Sequence, residues 1–374
     1  LKKRCLILPF QNKSSNLKKE IIMIATEKQR YLAVDVMRGL TLIGMIIVND
    51  PGSWDHVFPP LLHAEWNGLT PTDYVYPFFL FIIGVSIALA YQPKMEEGGE
   101  KKGMVTKIFF RALKIFGLGI FLWLFPEFNF SDIRWAGVLQ RIALVFLPCA
   151  LLFLYTDKKF QIRLAAFLLL GYWILMAYIP VPGIGFPDLS MPEKNWAHYI
   201  DRLLLPGRMW QKTWDPEGIL STFPAIVTGI LGLLAGHIIV HQKDIRQKLI
   251  SLFFMGFVLI AIGDLWQWFF PINKNIWSSS YTCLMGGFAS LTLAALIYLI
   301  DLQGKDGWIY PARVFGTNAI TAYVLSGTLT ALFYNDSLVP KGLNGQFMSL
   351  GTSLGFAPEL SSLLYALIYV FIIF

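Results

Sequence analysis

An all-α integral membrane protein, about ten transmembrane helices in one bundle with both termini in the cytoplasm, is the fold class that this sequence predicts. Three observations predict it. Hydrophobic residues make up 55% of the 374 residues and charged residues 15%, with a mean hydropathy of +0.56, more apolar surface than a soluble domain could cover. Apolar stretches near the roughly 20 residues that cross a bilayer recur along the chain. Lys and Arg then alternate sharply between the two sides of those stretches, and by the positive-inside rule the rich side faces the cytoplasm. The net charge of +7 is thereby placed along a membrane face, so the bilayer is the expected partner and nucleic acid is not.

The amino-terminal residues 1–30 are polar and basic, with eight Lys and Arg, and are expected to be disordered. Opening on Leu1 with an internal Met23, the segment suggests a natural start at Met23 or an included upstream extension. Residues 31–374 read as one transmembrane domain without an internal repeat or a Gly/Ser linker. Its first span, 32–49, carries charges and lacks a small-residue cleavage site, so it reads as a signal anchor. Further spans are expected at 74–91, 108–125, 138–155, 162–180, 219–240, 249–270, 278–300, 312–334 and 359–374. The last ends abruptly in apolar Val370 to Phe374, without a basic flank, as a truncated chain would. Loops holding Lys94, Lys101, Lys102 and Lys107, then Lys158, Lys159 and Arg163, then Lys243, Arg246 and Lys248, then Lys305 and Arg313, define the cytoplasmic side. The segment between Asn49 and Asp73 has no Lys or Arg and is expected outside.

That segment holds His63, a titratable imidazole in a polar, Gly- and Pro-containing stretch between two spans, where a membrane protein would keep a general base. Polar residues inside spans add candidates, because a charge there costs about 2.5 to 3.5 kcal/mol on insertion scales. Asp35 and Arg38, three apart on the first helix, share a face and can neutralise each other. Arg111 and Lys114 lie in the first turns of the third span, where such side chains often only snorkel. Gln140 and Arg141 lie just inside the fourth span, and Arg141 cannot shed its charge, so it must meet a partner or a wet cavity. Asn318 places an amide in the ninth span. In the longest external loop, 181–218, Asp188, Glu193, Asp201, Asp215 and Glu217 accompany Trp196, Trp210 and Trp214. Carboxylates beside aromatic faces suit an amino sugar; an interfacial Trp belt on a solvated loop has the same composition. Cys5, Cys149 and Cys283 form no CxxC pair, and His237 and His241 lack a third ligand nearby, so no metal is expected.

Ordered blocks carry a family resemblance. The run Leu32 to Gly39 with Asp35 and Arg38, then Val48-Asn49, His63-Ala64, Trp66-Asn67-Gly68-Leu69-Thr70 and Asp73, is similar to the catalytic region of heparan-α-glucosaminide N-acetyltransferase and its bacterial relatives. The similarity continues through Gly137 to Arg141, Asp215 to Leu220, Pro271 to Ser278 and Asn318-Ala319-Ile320. The sequence as given has no counterpart of the long luminal amino-terminal region of lysosomal members, and bacterial relatives need not see heparan fragments, so the acceptor stays open.

The resemblance implies a multi-pass enzyme of the bacterial cytoplasmic membrane that takes acetyl from cytoplasmic acetyl-CoA and gives it to the amine of a glucosamine-type sugar outside, with a homodimer allowed. It assigns catalysis to His63 with Asn49 close by; chemically, His63 can act as base or transient acetyl acceptor, and Asp73 or Glu65 is a candidate orienter. Arg38, Arg111, Lys114, Arg141, Arg313 and Asn318 are the candidates for the cofactor. Glu65, Trp66, Asp215, Glu217, Lys274 and Trp277 are those for the acceptor. A transporter of amino sugars, or an acyltransferase with another acceptor, would share much of this composition.

Overall fold

A computed structural model describes residues 31–374; the expectations for residues 1–30, including disorder and Cys5, lie outside the described residues. Among the described residues the chain is helical, with only isolated bridges between Arg134 and Gly207 and between Val181 and Gly185. The expected spans appear as α1 (Leu32–Asn49), α2 (Val75–Glu96), α3 (Lys101–Leu124), α4 (Val138–Tyr155) and α5 (Lys158–Tyr178). After a short α6 (Trp196–Leu204) come α7 (Thr222–His241), α8 (Ile245–Trp266) and α9 (Ser279–Leu296), the last running on as a π-helical turn at Ile297–Leu302. The chain closes with α10 (Tyr310–Thr317), α11 (Ala319–Phe333), α12 (Gly342–Ser353) and α13 (Pro358–Ile373).

Several helix starts are fixed by local chemistry. The side chains of Asp157, Asp244 and Ser278 each accept a backbone N–H from the first turn of α5, α8 and α9, satisfying donors that a helix start leaves open. Helices α6 and α12, with 9 and 12 residues, are too short to cross a bilayer and were legible only as loop. The expected ninth span is broken: Asn318 leaves helical geometry between α10 and α11, and its amide donates to the Val314 carbonyl at 3.0 Å.

Among the described residues, seven helices have the length and composition to cross a membrane. Of the other expected spans, α3 carries Lys101, Lys102, Lys107, Arg111 and Lys114 in its first half, while α11 and α13 are apolar but shorter, at 15 and 16 residues. Burial separates the centre from the rim. The apolar window of α7 is 72% buried within the protein, and that of α8 only 22%, so Phe253, Phe254 and Phe257 of α8 point outward where lipid tails would meet them. Two glycine contacts let backbones touch. A Cβ on Gly84 of α2 would lie 2.0 Å from the Gly229 carbonyl oxygen of α7, and one on Gly39 of α1 would lie 1.7 Å from that of Ala312 of α10; without a hydrophobic drive between helices, such close packing is what holds membrane bundles together.

The bundle has two unlike ends. At one, connections are short, spanning 97–100, 156–157, 242–244 and 303–309, and Asp301 accepts the Ala33 N–H at 3.4 Å. At the other, segments 50–74, 125–137, 179–221 and 267–278 pack on one another. There Trp66 donates to the Leu189 carbonyl at 2.8 Å, and the Asn273 amide donates to Asn67 at 3.0 Å.

Candidate active site

His63 lies in the 50–74 segment, its side chain 45% exposed, with Nδ1 2.7 Å from Oδ1 of Asp73. Local sequence explains why the carboxylate waits there. Thr70 and Asp73 form a capping box at the start of a short 3-10 turn, Pro71–Tyr74, leading into α2. The Asp73 Oδ2 thus accepts the backbone N–H of Thr70 at 3.0 Å and of Ala64 at 3.2 Å, while its own carbonyl accepts the Tyr281 hydroxyl at 2.6 Å. Asp73 is fully buried. A carboxylate only accepts, so the short contact requires the proton of His63 on Nδ1 and leaves the lone pair on Nε2, the atom a base or nucleophile needs.

Lys274 completes the cluster, with Nζ 2.9 Å from each ring nitrogen of His63 and 3.7 Å from Asp73. With Nδ1 protonated, its bond goes to Nε2. Burial pushes the Lys274 ammonium below its ordinary value, and the nearby Asp73 and Glu217 carboxylates only partly restore it. Expected as an acceptor contact, Lys274 instead touches the histidine itself. Its place follows from Asn273, which is buried and accepts the Ile276 N–H at 3.1 Å while bonding Asn67; the Gly68 N–H donates to the Ile272 carbonyl at 2.9 Å and fastens the two segments.

The other acceptor candidates are placed less uniformly. Glu65 is exposed. Trp66 is anchored by Leu189 and meets the rings of His198 and Trp214 edge-on. Asp215 is not open to a ligand: it is buried and holds Arg134 at 2.7 and 2.6 Å, and Arg134 also reaches Glu217 at 2.7 Å and lies 4.9 Å over the Trp210 ring. Trp277 is likewise enclosed, 1% exposed, donating to Thr228 at 3.0 Å. Nearby, Asp201 accepts the Ile219 N–H at 2.9 Å, and burial raises its carboxyl to about 6. His198 is pushed down to about 3 by burial.

Two cavities lie along α1, α3, α4 and α11. That near the His63 end, about 210 Å³, is lined by Asn49, Asp50, Arg134, Gln140, Tyr323 and Ser326; His63 itself is not among its walls. The other, about 410 Å³, has Arg38, Ser86, Arg111 and Asn318 beside the apolar Phe79 and Phe146. Arg38 is fixed there by Asp35 at 3.1 Å, as the shared helix face predicts, by the Gly316 carbonyl at 2.9 Å and by Ser86 at 2.6 Å. Arg111 lies 5.1 Å over the Phe146 ring. Three cofactor candidates therefore meet in one cavity, whose guanidinium groups and apolar wall match the two halves of a phosphorylated, thin, pantetheine-bearing molecule. Lys114 and Arg313 stand exposed outside its walls. Arg141 is elsewhere: it is 1% exposed, packed 5.3 Å over the Trp277 ring, and donates to Ser221 at 2.5 Å and to the Gly218 carbonyl at 3.1 Å. Its Nε and one terminal nitrogen have no protein partner, and its charge lies buried between α4 and the start of α7.

Asp50 and Arg134 were not anticipated. Asp50 follows Asn49 with no motif to mark it. Arg134 was not singled out by sidedness either, because Lys194, Arg202, Arg208, Lys212 and Lys274 lie in segments at the same end.

A helical membrane protein with a rim histidine oriented by a buried carboxylate, and an arginine-bearing cavity further along the same helices, has the layout of a membrane-embedded acid–base or acyl-transfer site. The chain belongs to the heparan-alpha-glucosaminide N-acetyltransferase family: residues 30–270 match the family's model, described as "Heparan-alpha-glucosaminide N-acetyltransferase, catalytic". It is 30% identical over 354 residues to the heparan-alpha-glucosaminide N-acetyltransferase of Mus musculus, covering 79% of this chain and 53% of the relative. The Homo sapiens protein of the same name is also 30% identical, with 79% and 52% covered. The chain thus spans about half the length of the curated relatives it matches.

Proposed function

We propose that this chain is a transmembrane N-acetyltransferase that moves acetyl from cytoplasmic acetyl-CoA to the amine of a glucosamine-type sugar on the opposite face. The observation that carries the reading is the 2.7 Å contact between His63 and the buried Asp73, in a family whose curated relatives bear that activity in their names. Crossings by α3, by the α10–α11 pair and by α13, added to the seven long apolar helices, give ten passes with both termini inside, in a bacterial cytoplasmic membrane. The short-loop end, with Lys94, Lys101, Lys158 and Lys243, is then cytoplasmic and the His63 end external.

In this reading Arg38, Arg111 and Asn318 hold the donor from the cytoplasmic side, with Lys114 and Arg313 adding attraction at the mouth. Acetyl-CoA supplies an activated thioester. The acceptor displaces Lys274 from His63, whose Nε2 then takes the proton of the attacking amine, or first accepts the acetyl group transiently; the thioester C–S bond breaks, and the proton from His63 goes to the departing CoA thiolate. Asp73 keeps the imidazole in the required tautomer and stabilises it when positively charged. Asn49 donates a hydrogen bond to the oxyanion or orients the reactants, and Glu65 and Trp66 border the approach.

Purified protein incubated with radiolabelled acetyl-CoA and glucosamine should form labelled N-acetylglucosamine. Uptake of glucosamine into vesicles without acetylation would make the protein a carrier instead.

A further inference from the structure

The mechanism above leaves one buried carboxylate of the smaller cavity unused. Asp50 ends α1 as its C-cap residue, is 6% exposed, and lines the cavity beside Asn49, Arg134 and Gln140. Its Oδ1 accepts the Thr330 hydroxyl at 2.5 Å; among the described residues no salt bridge reaches Asp50, and Oδ2 has no hydrogen-bond partner. Arg134, the cation on the same wall, is already bound to Asp215 and Glu217, so together with Asp50 one positive charge meets three carboxylates. The titratable groups around Asp50 besides these are the phenols of Tyr323, Tyr334, Tyr365 and Tyr369, none of which brings a positive charge. The carbonyl end of α1 adds partial negative charge at the same spot.

We propose that Asp50 is a docking subsite for the acceptor's ammonium, holding an amino sugar in this cavity by its protonated amine before that amine moves on to His63, which lies outside the cavity walls. The inference rests on the acetyl-transfer reading and deepens it. Burial raises the Asp50 carboxyl to about 7 against the pull of Thr330, so its charge is costly while the cavity holds no cation, and a cation from outside removes that cost. The amide product carries no charge, so Asp50 favours substrate over product and lets the product leave. Asn49, next in sequence and on the same wall, stands beside the amine so held.

The test is calorimetric titration of the whole chain in lipid nanodiscs with glucosamine, glucose, N-acetylglucosamine and CoA. Asp50→Asn keeps an acceptor for Thr330 and is isosteric; it should weaken glucosamine roughly ten- to hundredfold, the range for a hydrogen bond to a buried charged group, and leave N-acetylglucosamine and CoA unchanged. Wild-type protein should prefer glucosamine to glucose, the same ring bearing a hydroxyl for the amine, by a similar factor; this comparison holds even if the variant fails to fold. Equal glucosamine affinity in wild type and variant, or no wild-type preference over glucose, overturns the proposal. If labelled N-acetylglucosamine forms while those affinities are equal, only the Asp50 subsite falls. If no label is transferred while the variant still loses glucosamine, the subsite stands and the transfer reading falls.

Discussion

The two ends of the bundle use charge differently. Around His63 the charged groups are buried and mutually bonded: Asp73 is fully buried and takes the histidine and two backbone N–H groups, and Arg134 is locked between Asp215 and Glu217. At the short-loop end, Lys114 and Arg313 stand in the open, while Arg38 is held by Asp35, Gly316 and Ser86 and the buried Lys248 by the Tyr31 hydroxyl. Buried, bonded charges have fixed positions and are dear to disturb, whereas exposed ones attract at a distance and are screened by salt. The first arrangement suits positioning of reacting groups, the second recruitment of an anion.

The most severe way to break this comparison is at the histidine. His63→Ala should lower acetyl transfer by on the order of 10²- to 10⁴-fold, the usual worth of general acid–base catalysis, with CoA affinity retained in a direct titration. Near-normal turnover would remove His63 from the chemistry. Asp73→Asn should cost somewhat less, on the order of 10²-fold or more, because an amide can turn its NH₂ toward Nδ1 and stabilise the wrong tautomer; a turnover loss without loss of CoA affinity is the signature, since a folding defect would remove both.

A stability contrast comes next. Arg134→Met leaves Asp215 and Glu217 buried without their cation, and breaking a buried pair costs about 3 to 5 kcal/mol, so thermal unfolding should come much earlier. Lys114→Met, at an exposed position, should leave the unfolding curve where it was. Equal effects would mean that the Arg134 cluster is solvated in the working protein and that the contrast between the ends is false.

How much of this was legible in the sequence depended on length scale. Apolar stretches near bilayer length gave α1, α2, α4, α5, α7, α8 and α9 within a few residues, because lipid demands a continuous apolar run. The break at Asn318 was hidden, since hydropathy averages over it; α6 and α12 were hidden because nothing distinguishes a short helix from a polar loop at that scale. In the site, His63 stood out as a titratable group in a polar segment between two spans, and Asp73 through the family resemblance, whereas the capping box that holds Asp73 was not read. Lys274 was expected at the acceptor but not on the imidazole, because Lys274 and His63 lie 211 positions apart in sequence and are brought together only in the folded chain, where Asn67 bonds Asn273 and Gly68 bonds Ile272. Trp277 and Asp215 carried plausible chemistry whose burial no local pattern reveals.

The mildest test addresses the exposed end and separates attraction from architecture. If the cavity with Arg38, Arg111 and Asn318 receives the phosphorylated donor, Arg111→Ala should raise the KM for acetyl-CoA several-fold and flatten its dependence on salt, because one screened attraction has been removed; the KM for glucosamine should barely move. Arg313→Ala should do the same more weakly, since Arg313 is outside the cavity wall. Arg38 needs its partner changed as well, because removing it alone leaves Asp35 near the bilayer without the bond at 3.1 Å and should lower expression. The double change Arg38→Ala with Asp35→Ala should recover expression but not CoA affinity. CoA titrations across a salt series decide the matter: if every variant binds as wild type does at each salt concentration, the basic groups only set topology and the donor enters elsewhere.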